Sequence, residues 1–319
     1  MKKIETLIDL SRRATENLDY TDTTGIQQSE FIQYFTDAIK RIESVINVHH
    51  PKAFLRNKKL SVAPAQENVS IPVDVFLGTR ILTVEFNSNI SGDSGFYLLK
   101  KGSLQERFNG VTGDPVFYIR EGSNLILKPG SQGAGQVRLV YQKAQPAADI
   151  RRGEIQGVTI AGSTLTALSL DPASVSAVFD AEALNDQNYL TIIDRDGAVK
   201  MANVPISSVD QNTGVVTIYG GTHTFESDES AQAGYFVCAG PYSSNVCKLP
   251  DVVERYLLAY VNTKINYRDS NVDIAEASQE LKMIEEDILA SFKEPDGDVD
   301  YVTILDSQFV GIDDYGAWN

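Results

Sequence analysis

Apolar positions near the start of the chain recur at alternating steps of three and four. Ile4, Leu7, Ser11, Ala14 and Leu18 trace one such stripe, and Ile32, Phe35, Ile39, Ile42 and Ile46 trace another. That spacing places each set on one face of an α-helix. The run Tyr20-Thr21-Asp22-Thr23-Thr24-Gly25 separates the two with turn and cap formers. Ser29 is the expected N-cap of the second helix, which should stop before His49-His50-Pro51, where proline disfavours the helical conformation. The same period returns near the other end. Behind Pro250, which suits a first helical turn, Val253, Leu257, Val261 and Ile265 stack at steps of four. Arg268-Asp269-Ser270-Asn271 breaks the pattern. Asp273 with Glu276 then forms a variant capping box ahead of Ile274, Ala277, Leu281, Ile284 and Ile288.

Between Leu60 and Cys247 the period becomes that of strands. Ile81 to Phe86 and Phe96 to Leu99 are β-branched or aromatic runs closed by Gly, Asn and Ser. Val116 to Arg120, the turn Glu121-Gly122-Ser123-Asn124 and Leu125 to Leu127 predict a hairpin. Gln136 to Gln142 predicts a strand with Val137, Leu139 and Tyr141 on one face. Ala144-Gln145-Pro146-Ala147-Ala148 looks like a linker. Beyond it, Tyr189 to Ile193 leads into the turn Asp194-Arg195-Asp196-Gly197, Asn212-Thr213-Gly214 precedes Val215 to Tyr219, and Tyr235 to Cys238 closes the region. Short strands punctuated by Gly and Asn suggest small antiparallel barrels or sandwiches. No internal repeat relates the two β regions.

Four amphipathic helices, none able to bury its stripe alone, predict an α+β fold. In it, N- and C-terminal helix pairs form a helical bundle into which antiparallel β barrel or sandwich domains are inserted. The expected divisions are an N-terminal helical pair at 1–59, a first β domain at 60–148, a second, inserted β domain at 149–246, a C-terminal helical pair at 247–293 and an extended arm at 294–319. Leu7, Phe35, Ile39, Leu257, Leu281 and Ile284 are the expected packing residues of the bundle. The arm holds seven carboxylates and no Lys or Arg, yet also Tyr301, Phe309, Tyr315 and Trp318. Tyr301-Val302-Thr303-Ile304-Leu305 and Phe309-Val310 have strand-forming composition, so Tyr301, Ile304, Leu305, Phe309, Val310, Tyr315 and Trp318 are the candidate partner-binding residues.

Composition narrows the function classes. Hydrophobic residues at 42% and charged residues at 22% are ordinary for a globular protein. No apolar run approaches the ~18 residues of a membrane helix. Met-Lys-Lys-Ile-Glu begins like a signal peptide, but Glu5, Asp9, Arg12 and Arg13 interrupt any apolar stretch, which argues against secretion. Two cysteines, Cys238 and Cys247, are too few for a disulfide framework and lack companion ligands for zinc, so a free pair in a reducing compartment is expected. Lys and Arg number 28 against 43 Asp and Glu, a net charge of −15. Affinity for nucleic acid comes largely from cations that neutralise phosphates. The chain as a whole therefore cannot grip DNA, although it could line a path along which DNA passes.

The residues of reactive or ligating type fall short of complete sites. Asp296, Asp298 and Asp300 alternate like a calcium loop, but Tyr301 and Ser307 stand where that loop needs Gly and Glu. Gly130-Ser131-Gln132-Gly133-Ala134-Gly135 lies between strands, not at the start of a helix, and lacks the Lys-Ser/Thr of a phosphate loop. His49 and His50 suit a helix end, and with His223 they form no nucleophile-base-acid order. Neither an enzyme nor a cofactor, metal or nucleotide is expected.

The order of elements, carried by Ser29 to Ile46, Ile71 to Phe86, Val116 to Gln142 and above all Lys248-Leu-Pro-Asp-Val-Val-Glu-Arg-Tyr-Leu-Leu-Ala-Tyr onward to Ile288, resembles the head-to-tail adaptor (connector) proteins of short-tailed bacteriophages. The resemblance spans residues 1–145 and 235–293 and rests on no single motif. It implies a structural virion protein, assembled in the host cytoplasm, that forms a homo-oligomeric ring of about twelve copies. That ring would join the portal protein to the tail or nozzle protein and leave a channel for DNA ejection. Like-charge repulsion from an acidic lining would let DNA slide. The resemblance implies neither sequence-specific nucleic-acid binding nor a membrane. The β domain around residues 150–235 departs from the simplest members. The alternative is a β-rich binding module, a carbohydrate- or receptor-binding virion protein, which exposed aromatics on that domain would favour. An intracellular scaffold comes third.

Overall fold

The computed structural model describes residues 3–16, 25–89, 94–103, 105, 113–162, 164–172, 189–210, 212–221, 223–224, 229–268 and 274–292. Two compact units emerge: one combines Met1–His50 with Ala144–Phe292, and the other is built on Pro51–Lys143.

In the first unit, helix α1 spans Ile4–Ala14 and α2 spans Gln28–His49. α2 begins one residue before the expected cap Ser29. Gln27 and Glu30 form the capping box instead, with the Gln27 N–H donating to Glu30 Oε2 at 2.9 Å. The helix continues through His49, whose Nδ1 lies 3.0 Å from the Val45 carbonyl.

The second unit is a β-sandwich. Its strands are β1 (Leu55–Val62), β2 (Asn68–Ser70), β3 (Ile81–Asn87), β4 (Tyr97–Leu98), β5 (Lys100–Lys101), β6 (Phe117–Glu121), β7 (Asn124–Lys128) and β8 (Gly135–Gln142). They form two four-stranded sheets in the orders β1-β8-β3-β4 and β2-β7-β6-β5. Val137, Leu139 and Tyr141 point from β8 into the core, fully buried against Val84, Phe86, Leu125 and Leu127. The Tyr141 hydroxyl donates to Asp74 Oδ1 at 2.8 Å, and Arg56 pairs with the other oxygen of that carboxylate at 2.5 Å, so the buried acid is satisfied.

The chain returns to the first unit through β9 (Ala147–Ala148) and builds a barrel. Its strands are β10 (Gly153–Ala161), β11 (Thr164–Leu170), β12 (Tyr189–Ile193), β13 (Val199–Val209), β14 (Val215–Ile218), β15 (His223–Thr224) and β16 (Phe236–Ala239). Pairing runs β10-β16-β12-β13-β14-β11, and β11 pairs back to β10, closing six antiparallel strands; β15 adds to β11. Closure removes the open edges that a sheet of this length would otherwise present. Leu168, Leu190, Ile192, Met201, Val204, Val216 and Val237 fill the interior. Strand β17 (Ser243–Ser244) pairs in parallel with β9. Helices α3 (Asp251–Arg268) and α4 (Ile274–Ser291) complete the unit.

The expectation of an α+β fold organised around a helical bundle is overturned. Strand exceeds helix, 38% against 31% of the described residues, and four helices stand beside a barrel and a sandwich. The physical reason is visible on α2. Beyond the stripe Phe35-Ile39-Ile42-Ile46 it buries a second flank of Thr36, Glu43 and Asn47. That flank meets β9 and the segment leading into it, not helix: Thr36 Oγ1 donates to the Ala148 carbonyl at 3.3 Å, and Glu43 accepts from the Gln145 N–H at 2.6 Å. The helices also touch one another, through Ser11 to Asn262 at 2.6 Å, Arg268 to Glu30 at 2.8 Å and Arg41 to Glu285 at 3.2 Å. They are a layer of a mixed unit.

Candidate functional site: a buried polar joint and a basic sandwich

The residues expected to pack are all interior: Leu7, Phe35, Ile39, Leu257, Leu281 and Ile284 are buried. The arm residues Tyr301, Ile304, Leu305, Phe309, Val310, Tyr315 and Trp318, and the alternating Asp296, Asp298 and Asp300, lie outside the described residues.

Ala144–Ala148 has the composition of a linker, yet the segment running on to Arg152 is anchored by hydrogen bonds along its length. Ala147 N–H donates to the Tyr242 carbonyl and Asp149 N–H to the Ser244 carbonyl, each at 3.0 Å. Arg151 N–H donates to Glu5 Oε1 at 3.1 Å, tying the segment to α1. Asp149, only 2% exposed, accepts two-pronged hydrogen bonds from the Arg152 guanidinium at 2.8–3.0 Å and one from the Ala239 N–H at 2.6 Å. Burial pushes its carboxyl upward, and Arg152 and the backbone donors oppose that shift. The Arg151 guanidinium stacks on Phe236, 4.1 Å from the ring centre. Helices, β9 and barrel are thereby fixed to one another by a buried polar network, although Glu5 Oε2 and Arg151 Nε have no hydrogen-bond partner among the described residues. The burial of Asp149 and Arg152, three positions apart, has no local signature in the sequence.

The thiols are equally inert. Cys238 and Cys247 are free and buried. Burial pushes Cys238 well above the usual thiol range, helped by the charge of Asp149, and moves Cys247 up to about 11. Among the described residues no cluster of three or more His, Cys, Asp or Glu is arranged to hold a metal, and no helix is long and apolar enough to cross a membrane.

The second unit differs from the rest in charge. Residues 51–143 hold twelve Lys and Arg against seven Asp and Glu, a net of +5 in a chain of −15. Three of those acids are engaged inside the sandwich, Glu67 with Lys128, Asp74 with Arg56 and Glu85 with Arg138. Lys52, Arg80, Lys100 and Lys101 are exposed. The acidity of the whole chain concealed this reversal from a reading of total charge.

A search of curated proteins finds no match to the chain. The family model described as SU10 adaptor protein matches residues 5–151. The match takes in α1, α2, the sandwich and the anchored segment up to Arg151, and ends where the barrel begins. It does not extend to Lys248–Ile288, on which the sequence resemblance leaned most. The adaptor family is structural, not enzymatic. Residues 5–151, a little under half of the chain, thus match the SU10 adaptor protein family model, and over that stretch the resemblance to phage head-to-tail adaptors is supported.

Proposed function

We propose that the protein is a virion component that forms a homo-oligomeric ring of about twelve copies between portal and tail, with an axial channel for DNA ejection. The observation that carries this reading is the adaptor match over the helices and sandwich. The anchored segment 144–152 and its buried Asp149–Arg152 pair would hold each subunit of such a ring in one geometry. Assembly takes place in the host cytoplasm. The arm, residues 294–319, attaches the ring to the portal or to an adjacent subunit, using its aromatic and strand-forming residues as anchors. Deleting residues 297–319 should leave the circular dichroism spectrum and melting of the rest of the chain unchanged while abolishing co-sedimentation with portal-bearing heads. Wild-type co-sedimentation of the truncated chain would remove the arm from the attachment. Failure of the full-length chain to bind heads at all would overturn the adaptor reading.

A further inference from the structure

β4 and β5 follow one another in sequence but border different sheets of the sandwich, with Leu99 buried between them. The stretch Tyr97–Lys101 is thus an edge of both sheets. It presents Leu98 at 63% exposure, followed by exposed Lys100 and Lys101. Strand register places Leu98, Glu85, Arg138 and Lys59 in one row across the outer face of the first sheet. The Phe96 ring lies against that row, with the Arg138 guanidinium 4.3 Å and the Lys59 ammonium 5.9 Å from its centre. Lysines on an edge strand also discourage unwanted strand pairing. That accounts for Lys100 and Lys101 but not for an exposed leucine beside a stacked aromatic.

The surface is cationic and partly apolar, and it sits on the one unit of positive net charge. The chain carries a segment of opposite character: Glu294 to Asn319 has seven carboxylates, no Lys or Arg, and Tyr301, Phe309, Tyr315 and Trp318. The rest of the molecule is acidic and would repel that segment; the sandwich attracts it. A head-to-tail ring needs a heterologous contact in which one patch meets a different patch on the next subunit, and arm against sandwich is such a pair. We propose that the acidic-aromatic arm of one copy docks on the Leu98–Lys101 edge and the adjoining Phe96 face of the sandwich of a second copy. This rests on the ring reading above and names the surface that receives the arm.

The chain has a single tryptophan, Trp318, within the arm, so intrinsic tryptophan fluorescence of the full-length protein reports on the arm alone. As protein concentration rises at low salt, the emission should move to shorter wavelength and acrylamide quenching should fall. High salt should reverse both changes, because exposed charges are screened. The double change Lys100→Glu with Lys101→Glu should abolish the shift while leaving the far-ultraviolet circular dichroism intact. Leu98→Ser should weaken it without altering charge. Four results would each overturn the proposal: water-like emission at every concentration, a shift independent of concentration (the arm on its own sandwich), a shift unaffected by these variants, or lysine-dependent binding of duplex DNA with Trp318 unchanged. Because the measurement needs no portal, its failure is distinguishable from failure of the adaptor reading. Rings on portals with an exposed Trp318 would sink only the docking surface.

Discussion

Replacing Leu257 by Ala tests whether the first unit is a single cooperative body assembled from distant segments. Leu257 is fully buried on α3, between equally buried Val253 and Val261. The neighbouring Tyr256 hydroxyl donates to Glu285 of α4 at 3.0 Å. Removing about three methylene equivalents at ~0.8 kcal/mol each forfeits roughly 2.4 kcal/mol of transfer energy, and the cavity raises the expected loss to about 3–4 kcal/mol. For a unit of about two hundred residues, each kcal/mol lowers Tm by roughly 2–4 °C. The unit containing α3 should therefore melt about 6–15 °C lower. Two compact units need not unfold together, so differential scanning calorimetry should show one transition moving and the sandwich transition holding still. A change below about 1 kcal/mol, or an equal fall of both transitions, would refute the reasoning.

Further expectations concern charge and close packing. Burial pushes the Glu43 carboxyl from about 4.5 up to about 7, with the Gln145 N–H and Lys40 opposing the shift. The folded state therefore keeps its proton while the unfolded chain loses it, so stability should decline as pH rises from about 4.5 to about 7 and level off above. Glu43→Gln should remove that slope and raise stability at pH 8 by something on the order of 3 kcal/mol, read from urea unfolding at a series of pH values; an unchanged slope would contradict the assignment. Gly135→Ala should destabilise the sandwich by about 1–3 kcal/mol, because the added methyl would sit 2.6 Å from Phe86 Cζ and 2.8 Å from the Asn87 carbonyl oxygen. Calorimetry should register it in the sandwich transition alone.

Local pattern was legible where one face of an element is buried and the other wet. The alternation Val137-Leu139-Tyr141 marked three fully buried residues. The turn after Ile193 is built by the Asp194 side chain, which accepts from the Asp196 and Ala198 N–H groups at 2.9 and 2.8 Å. The stripe Val253-Leu257-Val261-Ile265 is buried throughout. What escaped depends on partners far along the chain. β1 reads as polar because Arg56 faces inward, a placement made tolerable by Asp74. β10 was hidden by Gly157, at which the pairing with β11 shifts register. Barrel closure through that same pair has no local signature. Ala144–Ala148 has linker composition, and its burial follows only from Glu43, Thr36 and β17 being brought to it.

The proposed function requires assembly on a portal. Electron microscopy of the purified full-length chain mixed with its portal protein tests it most directly. A ring of about twelve copies should cap one end of the portal and continue its channel. Portals left bare beside dispersed monomers would contradict it.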